Sequence, residues 1–349
     1  MTTFRASDFH LNRPGTLIAA VPSVLGFVPE KSLVIVTVEN GALGCVMRVD
    51  LSPELPDTLE HVAEVAAASG PDAAIAVIVD EDGASCRMCS DEHRDLVATL
   101  GGALDDHGIE LLASYVVDRL EEGGRWHCPG DYSTTGTIDD PMSSPMAAAA
   151  VLDGRRLYAH RAELQDVIAV DDPDRTAALH TAILRAEHDG DRRPDEDARD
   201  DVEHALAVSR GMVEGPAPTD DDLIRLAWAV TDTRVRDTLY ALAVGRDAGC
   251  AESLWALLAR TLPDAWRTEA LVLLAFSAYV RGDGPLAGVS LEAALHIDSN
   301  HRMAVMLDQA LQSGMRPDQI RELAQTGYRL AKRLGVRLPP RLVIGRRAG

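Results

Sequence analysis

Residues 73–79 read Ala-Ala-Ile-Ala-Val-Ile-Val, seven apolar residues without a break. A run that short offers no polar face to water, so it predicts a strand covered on both sides, as in the interior of an α/β sheet. Glu110 to Val117 is another strand, and between the two lies a helical pattern over Asp91 to His107. Strand, helix, strand in that order implies a right-handed crossover with the two strands side by side. Upstream, Ser32 to Val38 and Gly44 to Val49 flank Glu39-Asn40-Gly41, and Asn-Gly between β-rich runs predicts a hairpin. The first half is therefore expected to be α/β: a mixed, mostly parallel sheet with flanking helices, Ala73 to Val79 lying between 32–38 and 110–117.

The remaining elements follow from periodicity and breakers. Pro14-Gly15 opens a helix that Gly26 and Pro29 end, and Leu55 to Ala68 carries apolar residues at helical spacing. Gly123 to Pro145 has little period of its own and reads as a long loop, followed by short helices at Met146 to Leu152 and Arg161 to Val167. Glu187 to Asp201 is almost all charged or helix-breaking, so it reads as a surface linker or an exposed helix start. Beyond it every segment is helical: 201–210, 219–230, 233–245, 250–261, 264–281, 285–297, 301–313 and 317–334. The expected organisation is an α/β domain over 1–185, a charged linker over 186–202, a helical domain over 203–335 and a basic tail over 336–349.

In the helical half, Leu271, Leu274, Ala275, Ala287, Leu291 and Ala294 fall at the offsets of a tetratricopeptide repeat, where small residues let paired helices approach closely. Neighbouring windows match only in part, so one fair repeat flanked by degenerate ones stands beside an ordinary helical bundle as the alternative.

The chain has 349 residues and a formal charge of -21, and its only lysines are Lys31 and Lys332. That field repels phosphate backbones and anionic headgroups, which argues against non-specific nucleic-acid binding and membrane association. The tail from Arg329 to Arg347 is basic and is the one place from which nucleic acid could be held. No apolar core follows the first residues and no run is long enough to span a bilayer, so a cytoplasmic protein is expected. Five cysteines, an odd number, do not make a secreted disulfide framework.

Two local features could carry chemistry. Cys86-Arg87-Met88-Cys89 lies just before a helix, where two thiols can bite one tetrahedral zinc or form a redox pair. His127 and Cys128, beyond the next strand, could complete four metal ligands. Two unrelated loop cysteines are the plain alternative. Arg125-Trp126 sits where the last strand enters the long loop and could clamp a planar or anionic ligand; otherwise the tryptophan simply completes the core. No glycine-rich phosphate loop, nucleophile elbow or zinc-protease motif occurs, so no catalytic residue is nominated and no cofactor other than zinc is expected.

Ala19-Ala20-Val21-Pro22 through Leu25-Gly26-Phe27-Val28-Pro29 to Ser32-Leu33-Val34 resembles the opening of an actinobacterial family known as domain of unknown function 4192. Gly124-Arg125-Trp126, Cys128-Pro129-Gly130 and Val151 to Leu164, with Gly154, Arg161 and Ala162, resemble its later blocks. The resemblance implies a cytoplasmic protein without assigning an activity. Where many members place several cysteines after the Arg-Trp block, only Cys128 stands here, so no role for clustered thiols is carried over. Two readings follow: a non-catalytic interaction or regulatory protein whose helical half binds a protein partner, or an enzyme with a site at the Arg-Trp loop.

Overall fold

A computed structural model describes residues 13–68, 70–152, 157–186 and 193–342. It divides into two compact units, Met1–Glu163 with Gln312–Gly314, and Leu164–Leu311 with Met315–Gly349.

The first unit runs α1 (Pro14–Leu25), β1 (Ser32–Glu39), β2 (Ala42–Asp50), α2 (Leu55–Ala67), β3 (Ala73–Val79), α3 (Arg87–Asp106), β4 (Glu110–Val117), β5 (Arg125–Cys128), β6 (Asp131–Thr137) and α4 (Pro145–Leu152); α5 (Arg161–Asp166) spans the division. Its six strands form one sheet in the order β2-β1-β3-β4-β5-β6, with β3 between β1 and β4 as expected. The sheet is mixed but not mostly parallel. Only β3 and β4 run parallel, and every other neighbouring pair is antiparallel. The reason is two reversals. Asn40 and Gly41 take φ of 51° and 73°, the left-handed pair that a tight hairpin turn requires. A second reversal after Asp118 folds β5 back along β4. Residues 123–145, expected as a loop, thus contain a β-hairpin. Its outer strand β6 (Asp-Tyr-Ser-Thr-Thr-Gly-Thr) lies at the sheet edge, exposed and without the alternation that marks a half-buried strand.

Alternation along the strands sends Leu33, Ile35, Ala74, Ala76, Ile78 and Val116 to one face. There they meet Leu59, Val62, Ala63 and Ala66 of α2 and Leu100, Ala103 and Leu104 of α3. Each fully buried Leu or Ile in this layer stabilises the fold by about 1.5–3 kcal/mol. The alternate set, including Val34, Ile75 and Val77, is equally buried on the other face, which is why β3 reads as continuously apolar.

The second unit contains α6 (Pro173–Arg185), α7 (Asp195–Glu214), α8 (Asp220–Thr231), α9 (Thr233–Leu239), α10 (Ala248–Thr261), α11 (Asp264–Arg281), α12 (Gly284–Ile297), α13 (Arg302–Gln312), α14 (Pro317–Arg321) and α15 (Ala324–Leu334). Among the described residues no strand follows residue 210. α11 and α12 pack against each other, and Leu271, Leu274, Ala275, Ala287, Leu291 and Ala294 are all buried there.

The expected linker over 186–202 is helical from Asp195 onward. Its three leading acids, Asp195, Glu196 and Asp197, occupy the first turn of α7, where they complement the helix dipole, and Ala198 and Val202 behind them are fully buried. Residues 187–192 of that run lie outside the described residues. The units divide at Glu163, upstream of the expected boundary at 185, because Leu179 and Ile183 of α6 are buried where α6 meets α8. The start of the basic tail folds back on its own unit: Arg246 N–H donates to Pro340 O and Leu342 N–H to Val244 O. Residues 343–349, with Arg346 and Arg347, lie outside the described residues.

Candidate functional site

The two parallel strands end alike, in Val79-Asp80 and Val117-Asp118. Val79 lies opposite Val117, and the Asp80 N–H donates to Val117 O at 3.0 Å, so two carboxylates reach the same sheet edge. In α/β proteins this C-terminal edge is where ligand sites gather. Asp118 is buried, and its Oδ1 accepts the backbone N–H groups of Arg119 and Arg125, each at 2.7 Å, fixing the turn between β4 and β5. Asp80 instead faces α3: its Oδ2 lies 3.1 Å from Nε2 of His93, a residue only 6% exposed. Its other ring nitrogen, Nδ1, has no hydrogen-bond partner. Gly83 permits this arrangement, since a Cβ there would stand 1.9 Å from Asp80 Oδ2.

The loop from Asp80 ends at Cys86, the N-cap of α3, and Cys89 sits in the first turn; both are half-buried thiols. The Cys89 amide and thiol and the Met88 amide point at the Cys86 sulfur, and these hydrogen bonds hold the Cys86 thiol below the usual range. Cys89 moves the other way, pushed up first by the hydrogen bond it gives to Cys86 and then by burial.

Beside this loop, a cleft of about 720 Å³ opens at the same edge, walled by Val28–Lys31, Glu81, Asp82, Asp118–Glu121 and Ala159–His160. Lys31 Nζ meets Asp82 Oδ2 at 2.8 Å, Arg119 pairs with Glu121 and with Asp118, and His160 Nδ1 lies 3.1 Å from Glu30 Oε1. Lys31 holds a left-handed backbone, φ 40°, a conformation that costs a non-glycine residue energy and that recurs at functional positions.

Arg125 and Trp126 do not make a joint clamp. As neighbours on β5 they point to opposite faces. Trp126 is buried edge-on to Tyr115 with ring centroids 5.3 Å apart, its indole N–H 3.3 Å from Thr137 O, while Arg125 is exposed with Nε 3.6 Å from Asp118 Oδ2. Trp126 also presses on Gly136, where a Cβ would come within 2.7 Å of the ring.

The four expected metal ligands do not come together either, although Cys86 and Cys89 remain neighbours. Among the described residues no group of three or more His, Cys, Asp or Glu side chains is arranged to hold a metal ion. The antiparallel return of β5 explains this. With Val117 opposite Trp126 and Val116 opposite His127, Cys128 is carried back along β4, away from the edge that holds Cys86 and Cys89. The same register puts Cys128 on the Tyr115 face, opposite α3, where burial raises its pKa, aided by Asp131. His127 shares the Val116 face with α3, and its pKa is lowered by burial and then by the charge of His93.

Asp80 and Asp118 are the residues that sequence reasoning passed over, whereas His93 stands out there only as a histidine one helical turn after Cys89. A signal was present: both parallel strands end in Val-Asp, an acid directly after apolar residues.

No helix among the described residues is long and apolar enough to cross a membrane. No curated protein and no solved structure matches the chain. One family does match, and the match takes in the whole sheet, the cleft and the helices as far as α14. Since residues 14–318 fit the family described as domain of unknown function DUF4192, the chain belongs to that family.

Proposed function

We propose that the chain is a non-catalytic cytoplasmic regulatory protein: the cleft at the sheet edge senses a small organic cation, and the helical unit offers a surface to a protein partner. The observation that carries this reading is the charge around the cleft. Glu30, Glu81, Asp82, Asp118 and Glu121 line it, against the cations Lys31 and Arg119, each of which already faces a carboxylate. An entering amine or guanidinium therefore meets an excess of acid over base. The volume lies within the roughly 300–1,000 Å³ common for small-ligand sites, and a chain of charge -21 draws cations towards it. In the helical unit Leu184, Met306, Met315 and Leu323 are exposed, and flexible methionines suit an adaptable protein contact. The negative field favours such a partner over nucleic acid.

Thermal melting with putrescine, spermidine and agmatine, set against phosphate and citrate, tests the cleft. The expected result is a higher melting temperature with a cation, lost in the double variant Glu81→Gln, Asp82→Asn. No cationic shift, or a shift that survives the double variant, overturns the reading. For the helical surface, Met306→Glu with Leu323→Glu should leave melting unchanged and abolish binding of the partner.

A further inference from the structure

We propose that Cys86 and Cys89 form a reversible dithiol–disulfide couple that exchanges with the disulfide of a low-molecular-weight thiol, Cys86 being the attacking sulfur. The geometry supports this in three ways. Cys86 is the N-cap and Cys89 the third residue of the 20-residue helix α3; residues three apart in a helical turn fall within the about 4.4–6.8 Å Cα separation that a disulfide spans. The Cys86 backbone is fixed by its own N–H to Gly83 O at 3.0 Å and by Ser90, whose amide and hydroxyl both donate to Cys86 O. Finally, the buried His93 stands one helical turn after Cys89 on the same side of α3, its Nε2 on Asp80 and its Nδ1 without a partner. The fold thus keeps the Asp80–His93 pair beside the start of α3, with Asp80 in electrostatic reach of Cys89.

The two sulfurs are unequal, as exchange requires. The amide and thiol donors around Cys86 favour its thiolate, whereas Cys89 holds its proton. The Cys86 thiolate attacks one sulfur of the small disulfide, the S–S bond breaks, and one thiolate leaves and takes up the proton Cys86 had lost. Cys89 then attacks the Cys86 sulfur of the mixed disulfide, and its proton passes to the second leaving thiolate. One small disulfide is reduced to two thiols while the Cys86–Cys89 pair is oxidised by two electrons. Two small thiols run the same steps backwards.

The full chain is incubated with oxidised glutathione, then alkylated and mapped by mass spectrometry. The expected product is a Cys86–Cys89 disulfide, two hydrogens lighter, that reduced glutathione reverses. Cys89→Ser should accumulate glutathione on Cys86, and Cys86→Ser should leave Cys89 unmodified. Without oxidant, iodoacetamide at pH 7 should alkylate Cys86 at least about tenfold faster than Cys45, whose thiol burial pushes up. This last measurement needs no variant. Equal alkylation rates, glutathione spread evenly over Cys86, Cys128 and Cys250, or a zinc ion held by Cys86 and Cys89 in the purified chain would each overturn the proposal.

Discussion

In the helical unit the buried carboxylates are answered by cations at close range, whereas the cleft at the sheet edge of the α/β unit is lined by more carboxylates than cations. Asp201, with a side chain only 5% exposed, accepts from Arg193 NH2 at 2.7 Å and from Arg225 Nε at 2.9 Å, joining α7 to α8. Glu269 of α11 accepts from Arg236 of α9 at 3.0 Å and lies 3.3 Å from His301 Nε2. Arg281 donates to Glu252 of α10 and to Asp283, the N-cap of α12. These charges tie helices together. At the sheet edge, by contrast, two thiols are driven apart in acidity and a cleft carries more acid than base. Charge that closes on itself serves the fold, and charge left open is available to a ligand.

The sharpest way to break that contrast is to remove one closing carboxylate. Asp201→Ala leaves Arg193, whose side chain is only 13% exposed, with Asp197 alone at 3.9 Å, and should cost about 3 kcal/mol in denaturant unfolding, because a distant, half-exposed carboxylate compensates a buried charge poorly. A cost below about 1 kcal/mol would mean that the helices relax freely around the gap, and the helical unit would lose its claim to closed charge.

A smaller effect tests whether Trp126 belongs with the structural groups. Gly136→Ala drives a Cβ to within 2.7 Å of the indole, which has Tyr115 against it and little room to retreat. Overpacking of this kind should cost about 1–3 kcal/mol. A neutral substitution would show that the ring can swing away, and would reopen Trp126 as a ligand contact.

These residues also show what the sequence makes legible. Ala73 to Val79 is readable because both faces of β3 are buried, so every position must be apolar, and the Asn40-Gly41 turn is readable because it demands left-handed backbone. β6 is not, since an exposed edge strand is free to use Asp131, Ser133 and Thr134. The opening of α7 is hidden for the same reason: Asp195 to Asp197 serve a helix N-terminus but read as a charged linker. In the site, the Cys86–Cys89 pair is visible because its spacing is local. Cys128 misleads because the direction of β5 is set by a turn, not by the residues of the strand. The Asp80–His93 contact spans 13 residues and depends on Gly83 closing the loop, which no local pattern announces.

A pH titration compares the two units in a milder way. His127 in the α/β unit and His204 in the helical unit both have pKa values lowered from 6.5, chiefly by burial, helped by His93 in the first case and Arg225 in the second. The folded protein therefore binds fewer protons than the unfolded chain as pH drops below about 6.5, so this part of the stability is complete above that pH and is lost as pH falls towards the folded-state values. Denaturant midpoints measured from pH 8 to 5 should fall on the acid side. Each of His127→Gln and His204→Gln should flatten the curve in part, and a curve unchanged by both would show that these imidazoles are solvated.

The smallest effect on stability is expected where the charge is most open. Lys31 and Asp82 make a 2.8 Å ion pair with side chains 65% and 79% exposed; in such a setting Coulomb attraction, side-chain entropy and salt screening nearly cancel. Lys31→Ala should therefore leave the melting temperature where it is, since alanine bears the left-handed backbone at this position no better and no worse than lysine does. The same change removes one of the two cations lining the cleft and frees Asp82. If the open acid is what attracts a ligand, putrescine should raise the melting temperature more in Lys31→Ala than in the parent chain, and added salt should erode the gain. A variant that loses stability without gaining the amine would place Lys31 among the structural charges and erase the distinction between the two regions at the point where it is drawn most finely.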